Sequence, residues 1–245
     1  MALLVLASLL GSPPMEAWLL DAVRSGDRRA LSRAITLIEQ GGEKSGLGRT
    51  RTVIGVTGPP GAGKSTLISE LIRVIRSRGE SVAVLAVDPS SPITGGALLG
   101  DRIRMQSHID DPDVYVRSMA TRGHLGGLAA AAAETVALMD VAGFDRVIVE
   151  TVGVGQSEVE VMELADVVVL IVGPGWGDQV QADKAGILEI ADLFVVNKGD
   201  RPGVEEVRRA LRETARANDA IILVTTSISG EGVTEVLDEI DRLAR

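Results

Sequence analysis

The nine residues Gly58-Pro59-Pro60-Gly61-Ala62-Gly63-Lys64-Ser65-Thr66 fit the pattern G-x-x-x-x-G-K-[ST]. They stand between the apolar run Val53–Thr57 and an amphipathic stretch, which is the context this pattern requires. Glycines let a backbone wrap a phosphate with its N–H groups inward, and the helix start that follows adds a favourable field. In such a cradle Lys64 would reach the β- and γ-phosphates and the Ser65 hydroxyl would ligate Mg²⁺. The plain alternative is a glycine-rich turn carrying a chance Gly-Lys-Ser.

A second stretch, VIVETVGVGQSEVE (147–160), is an apolar strand pattern that stops at Glu150 and continues as a loop broken by Gly153 and Gly155, with Gln156 after it. Only its last few residues begin another helix. A carboxylate at the edge of a core is costly unless a cation or hydrogen-bond donor meets it there. In a doubly wound sheet, ligands lie beyond the carboxyl ends of the strands. Glu150 therefore belongs beside the cradle and its Mg²⁺, and Asp88, closing the strand VAVLAVD, is placed the same way. Either acid taken alone also suits a simple loop cap.

After the apolar run ending at Val196 comes Asn197-Lys198-Gly199-Asp200, an N-K-x-D sequence. A carboxylate at Asp200 accepts hydrogen bonds from the ring N–H and exocyclic amino group of guanine, and adenine presents neither there. Asn197 would tie the base loop to the phosphate loop, while the Lys198 stem would lie over the base plane. Thr226 and Ser227, following another strand, occupy the place of a second base-contacting loop. These features favour GTP and GDP over adenine nucleotides.

The elements needed to hold these groups alternate strand and helix. Strands are predicted near 52–57, 82–87, 114–117, 145–150, 166–172, 192–196 and 220–225, and helices near 64–78, 127–142, 180–190, 203–217 and 232–244. The strands are rich in Val and Ile without polar alternation, as when helices cover both faces of a sheet. This is an α/β fold, a P-loop NTPase with a mostly parallel sheet of about seven strands. A helical segment precedes it: Trp18, Leu19, Ala22, Leu31, Ile35 and Ile38 recur at helical spacing, with a break at Ser25-Gly26-Asp27 and Asp27 placed as an N-cap. The expected division is residues 1–48 for this segment and 49–245 for the nucleotide domain.

Composition narrows the function. The 245 residues carry 34 acids against 25 bases, a net charge of −9, which argues against a general nucleic-acid binder. With no cysteine, disulfides, thiolate catalysis and cysteine zinc sites are excluded, and His108 and His124 are the only histidines. No apolar run reaches the ~18 residues of a membrane span, so neither a membrane nor nucleic acid is expected as a partner. Ala2–Leu10 is short and apolar like a signal-peptide core but lacks a preceding basic residue and a clear cleavage site. An upstream start codon with Met15 opening the native protein is the alternative, and a cytoplasmic location is expected.

Four longer stretches carry a resemblance: AVDPSSPITGGALLGDRIRM (86–105), TRGHLGGLA (121–129), VETVGVGQSE (149–158) and GILEIADLFVVNKGD (186–200). Together they resemble the methylmalonyl-CoA mutase-associated GTPases, the MeaB/ArgK family of the SIMIBI class, over roughly Leu19 to Arg245. The resemblance implies a G domain that couples GTP hydrolysis to loading and protection of a cobalamin-dependent acyl-CoA mutase, with an adenosyltransferase as a further candidate in the complex. Carried over by position, Lys64, Ser65 and Thr66 hold phosphates and Mg²⁺, while Asp88, Asp101 and Glu150 match acids around the metal and mobile loops. Lys64, Glu150 and Asp101 are thereby the implied catalytic set. GPGWGDQVQADK (173–184) matches an additional loop that communicates with the mutase, with Asp178, Gln181 and Lys184 at corresponding positions. Trp176 in that loop suits either packing beneath it or contact with a partner.

The sequence departs from the family in two places. Where the family reads G-D-E-L-Q, this chain has Gly177-Asp178-Gln179-Val180-Gln181, one acid fewer. The family commonly continues into a helical C-terminal arm that builds its dimer, whereas this chain stops at Arg245, so a homodimer would have to form without that arm. For hydrolysis, charge neutralisation by Lys64, Mg²⁺ and backbone donors is expected, with a slow intrinsic rate. Gln156, three residues after Gly153, suits a switch residue or a solvent-facing loop glutamine, and Arg122 and His124 lie in a glycine-flanked loop able to approach the γ-phosphate. Two other functions compete: a GTPase metallochaperone, disfavoured by the lack of Cys and His clusters, and a small-molecule kinase, which would leave N-K-x-D unexplained.

Overall fold

Seven strands form one parallel sheet: β1 (Val53–Thr57), β2 (Val82–Asp88), β3 (Val114–Ala120), β4 (Arg146–Thr151), β5 (Val167–Val172), β6 (Leu193–Asn197) and β7 (Ile221–Thr225), in the order β3-β2-β4-β1-β5-β6-β7. The structure, a computed structural model, describes residues 15–40, 47–88, 106–108, 110–120, 127–151, 156–176, 185–214 and 221–245. Within them lie eight helices: α1 (Ala17–Arg24), α2 (Arg28–Glu39), α3 (Lys64–Ser77), α4 (Gly127–Val141), α5 (Gln156–Met162), α6 (Ala185–Ile190), α7 (Val204–Thr214) and α8 (Val233–Leu243). None of the described helices is long and apolar enough to cross a membrane.

Every residue of β1, β5 and β6 is buried, which explains their unbroken apolar runs. Alternate residues feed two separate cores. Val147, Val149, Val168, Leu170, Phe194 and Val196 face one core with α1, α2, α4, α5, α6 and α7. Ile54, Val56, Ile148, Val169, Ile171 and Val195 face the other with α3 and α8. The N-terminal helices belong to the first core through Leu19, Val23, Leu31, Ile35 and Ile38. Asp27 caps α2 by accepting from the Arg29 and Ala30 amides at 2.8 and 3.1 Å.

The elements differ from the sequence expectation in three places. β3 runs on past Arg117 through Ser118 and Met119 to Ala120, paired with β2 along its whole length; Arg117 turns to α2, donating to Glu39 at 2.6 Å and Thr36 at 3.1 Å. The helix expected to begin in the last residues of 147–160 is a short one of its own, α5, whose two turns carry two glutamates and end at Met162. The described part of the helix expected at 180–190 starts at Ala185.

The amino-terminal edge of the sheet is clamped by aspartates that immediately precede strands. Asp166 accepts from the Val53 amide, Asp192 from the Val168 amide and Asp145 from the Ser81 amide, each at 2.8 Å. The Ser81 hydroxyl also donates to Asp145 at 2.8 Å, and these two bonds from Ser81, backbone first, hold the Asp145 carboxyl below the usual carboxylate range. A lowered folded-state pKa gives stabilisation that is complete above the unfolded-state pKa and is lost as pH falls through the folded one. Asp145→Ala should therefore lower the Tm most at neutral pH. In thermal melts the gap from the parent should close as pH drops from about 5 towards about 2.

Candidate nucleotide site

The strand order puts β1 between β4 and β5, so the loop leaving Thr57 opens at the carboxyl edge where the chain's connections diverge. Gly58 leaves the strand at φ +145°, and a Cβ there would lie 2.0 Å from the Ile171 carbonyl oxygen of β5. Gly63, at φ +97°, caps α3, and a Cβ there would lie 2.3 Å from Asn197 Nδ2. Neither position accepts a side chain without moving backbone or breaking the Asn197 contact. Pro60 and Gly61 form the exposed tip, Ala62 is buried, and Pro59 and Thr66 are half-buried.

Lys64 and Ser65, the first residues of α3, are both buried. The Lys64 ammonium donates to the carbonyls of Gly58 at 2.8 Å and Pro59 at 3.1 Å, which holds the cation against its own loop. The Ser65 hydroxyl donates to Glu150 Oε1 at 3.1 Å. Glu150 is 1% exposed and lies opposite Val56 in the β4–β1 register, so the buried acid meets a donor from the first turn of α3. A hydroxyl and a carboxylate side by side suit Mg²⁺, a hard cation that takes few protein oxygens and completes its shell with phosphate and water. Among the described residues no group of three or more His, Asp or Glu side chains converges as a metal site, so an ion here would depend on that completion.

The base-side loop is fastened to the phosphate-side loop by two side chains, Asn197 and Lys198. Asn197, 3% exposed, donates from Nδ2 to the Ala62 carbonyl at 3.0 Å. Its Oδ1 accepts from Thr225 Oγ1 at 3.1 Å, the Ser227 amide at 3.1 Å and the Ser227 hydroxyl at 2.7 Å. Lys198 adopts φ +62°, rare for a residue with a side chain, and its ammonium donates to the Gly61 carbonyl at 2.6 Å. Its stem therefore spans from the N-K-x-D turn to the tip of the phosphate loop. Asp200 stands exposed at the end of that turn, and Thr226 pairs with Glu231 in an isolated antiparallel bridge.

The structure thus brings Gly58 to Thr66, Glu150, Asn197, Lys198, Asp200, Thr226 and Ser227 to one edge of the sheet. For Asp88 and Gln156 only the backbone is described: Asp88 ends β2 two residues beyond Ala86, the register partner of Glu150, and Gln156 opens α5 rather than lying in a loop. Asp101, Gly153, Asp178, Gln181 and Lys184 lie outside the described residues, as do Arg122 and His124. Trp176 is packed in the first core at 4% exposure. Thr225 was not singled out in the sequence, although a strand-final threonine just before Thr226-Ser227 is the signal that marks it. Also unread was a buried hydroxyl pair, Thr151 donating to Thr57 at 3.0 Å.

Comparison with known proteins agrees with this geometry. The methylmalonyl Co-A mutase-associated GTPase family, MeaB, matches residues 19–245. The chain belongs to this family. A relative from Pyrococcus horikoshii is 48% identical, the match covering 91% of this chain and 75% of that protein. The mitochondrial methylmalonic aciduria type A homolog of Mus musculus is 40% identical over 76% of this chain, which spans 47% of that protein's length. Among solved structures, an LAO/AO transport system kinase superposes with a TM-score of 0.71 at 28% identity, covering 95% of this chain and 76% of the other. As a MeaB-family member the chain is a P-loop GTPase, and GTP and GDP are its nucleotides.

Removing the Asn197 side chain leaves the Ala62 carbonyl and the Thr225 and Ser227 donors to find new partners in a buried place. Asn197→Ala is expected to cost about 1–3 kcal/mol of unfolding free energy, the range for buried polar groups left unsatisfied. Urea unfolding of the two proteins measures it.

Proposed function

We propose that the chain binds GTP between the 58–66 loop and the Asn197–Asp200 turn, hydrolyses it slowly to GDP and phosphate, and serves as a chaperone for assembly and protection of a cobalamin-dependent methylmalonyl-CoA mutase. The observation that carries the nucleotide part is the Asn197 bridge, which fixes a guanine-type base loop against a phosphate loop. The partner is taken from the family's name and from the relationship to the methylmalonic aciduria type A homolog.

In this mechanism Lys64 exchanges its loop carbonyls for the β- and γ-phosphate oxygens, and the inward N–H groups of the loop and α3 neutralise charge as it shifts during cleavage. Ser65 and Glu150 would hold Mg²⁺, with Asp88 and Asp101 contributing to its surroundings; the ion supplies Lewis-acid neutralisation of phosphate charge when bound. Asp200 accepts the guanine ring N–H and amino group, the Lys198 stem covers the base, and Thr226 and Ser227 border it. Gly153 and Gln156 act as switch residues, and Asp178, Gln181 and Lys184 as the contact with the mutase. The location that goes with this role is the cytoplasm.

The base assignment has a specific test. Asp200→Asn is expected to weaken GDP binding and to favour xanthosine diphosphate, read by nucleotide competition; an unchanged guanine preference would contradict it. The partner assignment rests on single-turnover GTP hydrolysis, alone and with the host's cobalamin-dependent acyl-CoA mutase. Acceleration of about tenfold or more, ~1.4 kcal/mol of barrier, is expected. No acceleration with GDP binding intact would mean that a different partner is served.

A further inference from the structure

Glu150 and Thr151 are consecutive residues at the end of β4, so their side chains point to opposite faces of the sheet. Glu150 points to the face of α3 and meets Ser65. Thr151 points to the other face, where its hydroxyl donates to Thr57 Oγ1 at 3.0 Å. Thr57 is the last residue of β1, and the phosphate loop starts at the next residue, Gly58. Thr57 and Thr151 are 0% and 1% exposed, and the residues before them on the same face are Val53 and Gly55 in β1 and Val147 and Val149 in β4. Valine has the shape of threonine without the hydroxyl, so packing alone does not account for two threonines facing each other here. A buried hydroxyl is retained at a desolvation cost unless it is bonded, and this pair bonds across the strand seam.

We infer that Thr151 is a positioning residue for GTP hydrolysis, its bond to Thr57 bracing the carboxyl end of β4 to the origin of the phosphate loop so that Glu150 keeps its place against Ser65. The inference rests on the proposed nucleotide site. The two ends are then linked on both faces, by Ser65–Glu150 on one and Thr57–Thr151 on the other. A shift of β4 relative to β1 along the seam would separate both pairs together. Rotation of the Glu150 backbone alone is opposed because the next residue is fixed. Binding energy for GDP comes from loop N–H groups, Lys64 and the base turn, none of which Thr151 touches among its described contacts. Loss of the brace therefore acts on the placement of Glu150 during turnover more than on nucleotide affinity.

The test compares Thr151→Val and Thr151→Ser with the parent, measuring GDP affinity by titration, thermal stability, and single-turnover GTP hydrolysis. Thr151→Val is expected to bind GDP within about twofold of the parent and to hydrolyse GTP about three- to tenfold more slowly. Thr151→Ser, which restores the hydroxyl without the methyl, is expected to recover the rate even where its Tm stays lower. Parental hydrolysis by Thr151→Val with GDP binding intact would overturn the inference and leave the site standing. So would equal slowing of the serine and valine variants in step with their Tm, the mark of a merely structural role. A parent chain that neither binds GDP nor hydrolyses GTP would overturn the site and this inference together.

Discussion

The hydrogen bonds of Asn197 are what the functional edge of this protein depends on. The 58–66 loop and the Asn197–Asp200 turn leave strands that are not adjacent, β1 and β6, with β5 between them. Backbone pairing aligns the strands, but it does not fix loops that extend past their ends. Asn197 does so from a buried position, its Nδ2 donating to the Ala62 carbonyl on one side and its Oδ1 accepting from Thr225 and Ser227 on the other. Gly63 has no side chain because the Asn197 amide occupies that space, and Lys198 accepts a left-handed backbone to stretch from one loop to the other. In the proposed site, strain and a buried polar group would be tolerated because they preorganise two contacts for one ligand.

Carboxylates are used differently at the two ends of the sheet. At the amino edge, Asp145, Asp166 and Asp192 each take a backbone N–H from the start of a neighbouring segment, and Asp166 also holds Arg49 through two bonds at 2.8 Å. These acids close the edge and hold the register. At the carboxyl edge, Glu150 meets a hydroxyl at the start of α3, where the helix dipole and the loop amides favour negative charge. The same side-chain chemistry thus ties strand starts together at one edge and meets the first turn of α3 at the other.

Much of this was legible in the sequence. The phosphate loop, the N-K-x-D turn and the apolar strands are local signals, each contained in under ten residues, and the chain order that resembles the MeaB family places them on one sheet. What escaped notice depends on partners distant in sequence. The last residues of β3, Ser118 to Ala120, went unread because their partners in β2, Ala86 to Asp88, lie about thirty residues away. Asp166 clamps Val53 across 113 residues, and nothing in the Asp166-Val167 dipeptide announces it. The Thr57–Thr151 pair is likewise invisible until β4 is known to lie beside β1, an adjacency set by a crossover rather than by chain order. Of α5 only the start was read, because two turns give too little periodicity beside the glycines before them.

The central claim is that one braced site reads a guanine nucleotide, and calorimetric titration with GDP and with ADP tests it most directly. Because Asn197 and Lys198 already hold the base turn against the phosphate loop, GDP is expected to bind at least about a hundredfold more tightly than ADP, as for a site built to hydrogen-bond one base. Equal affinities for the two nucleotides would contradict it, since the loop would then be a phosphate cradle with no base reader attached.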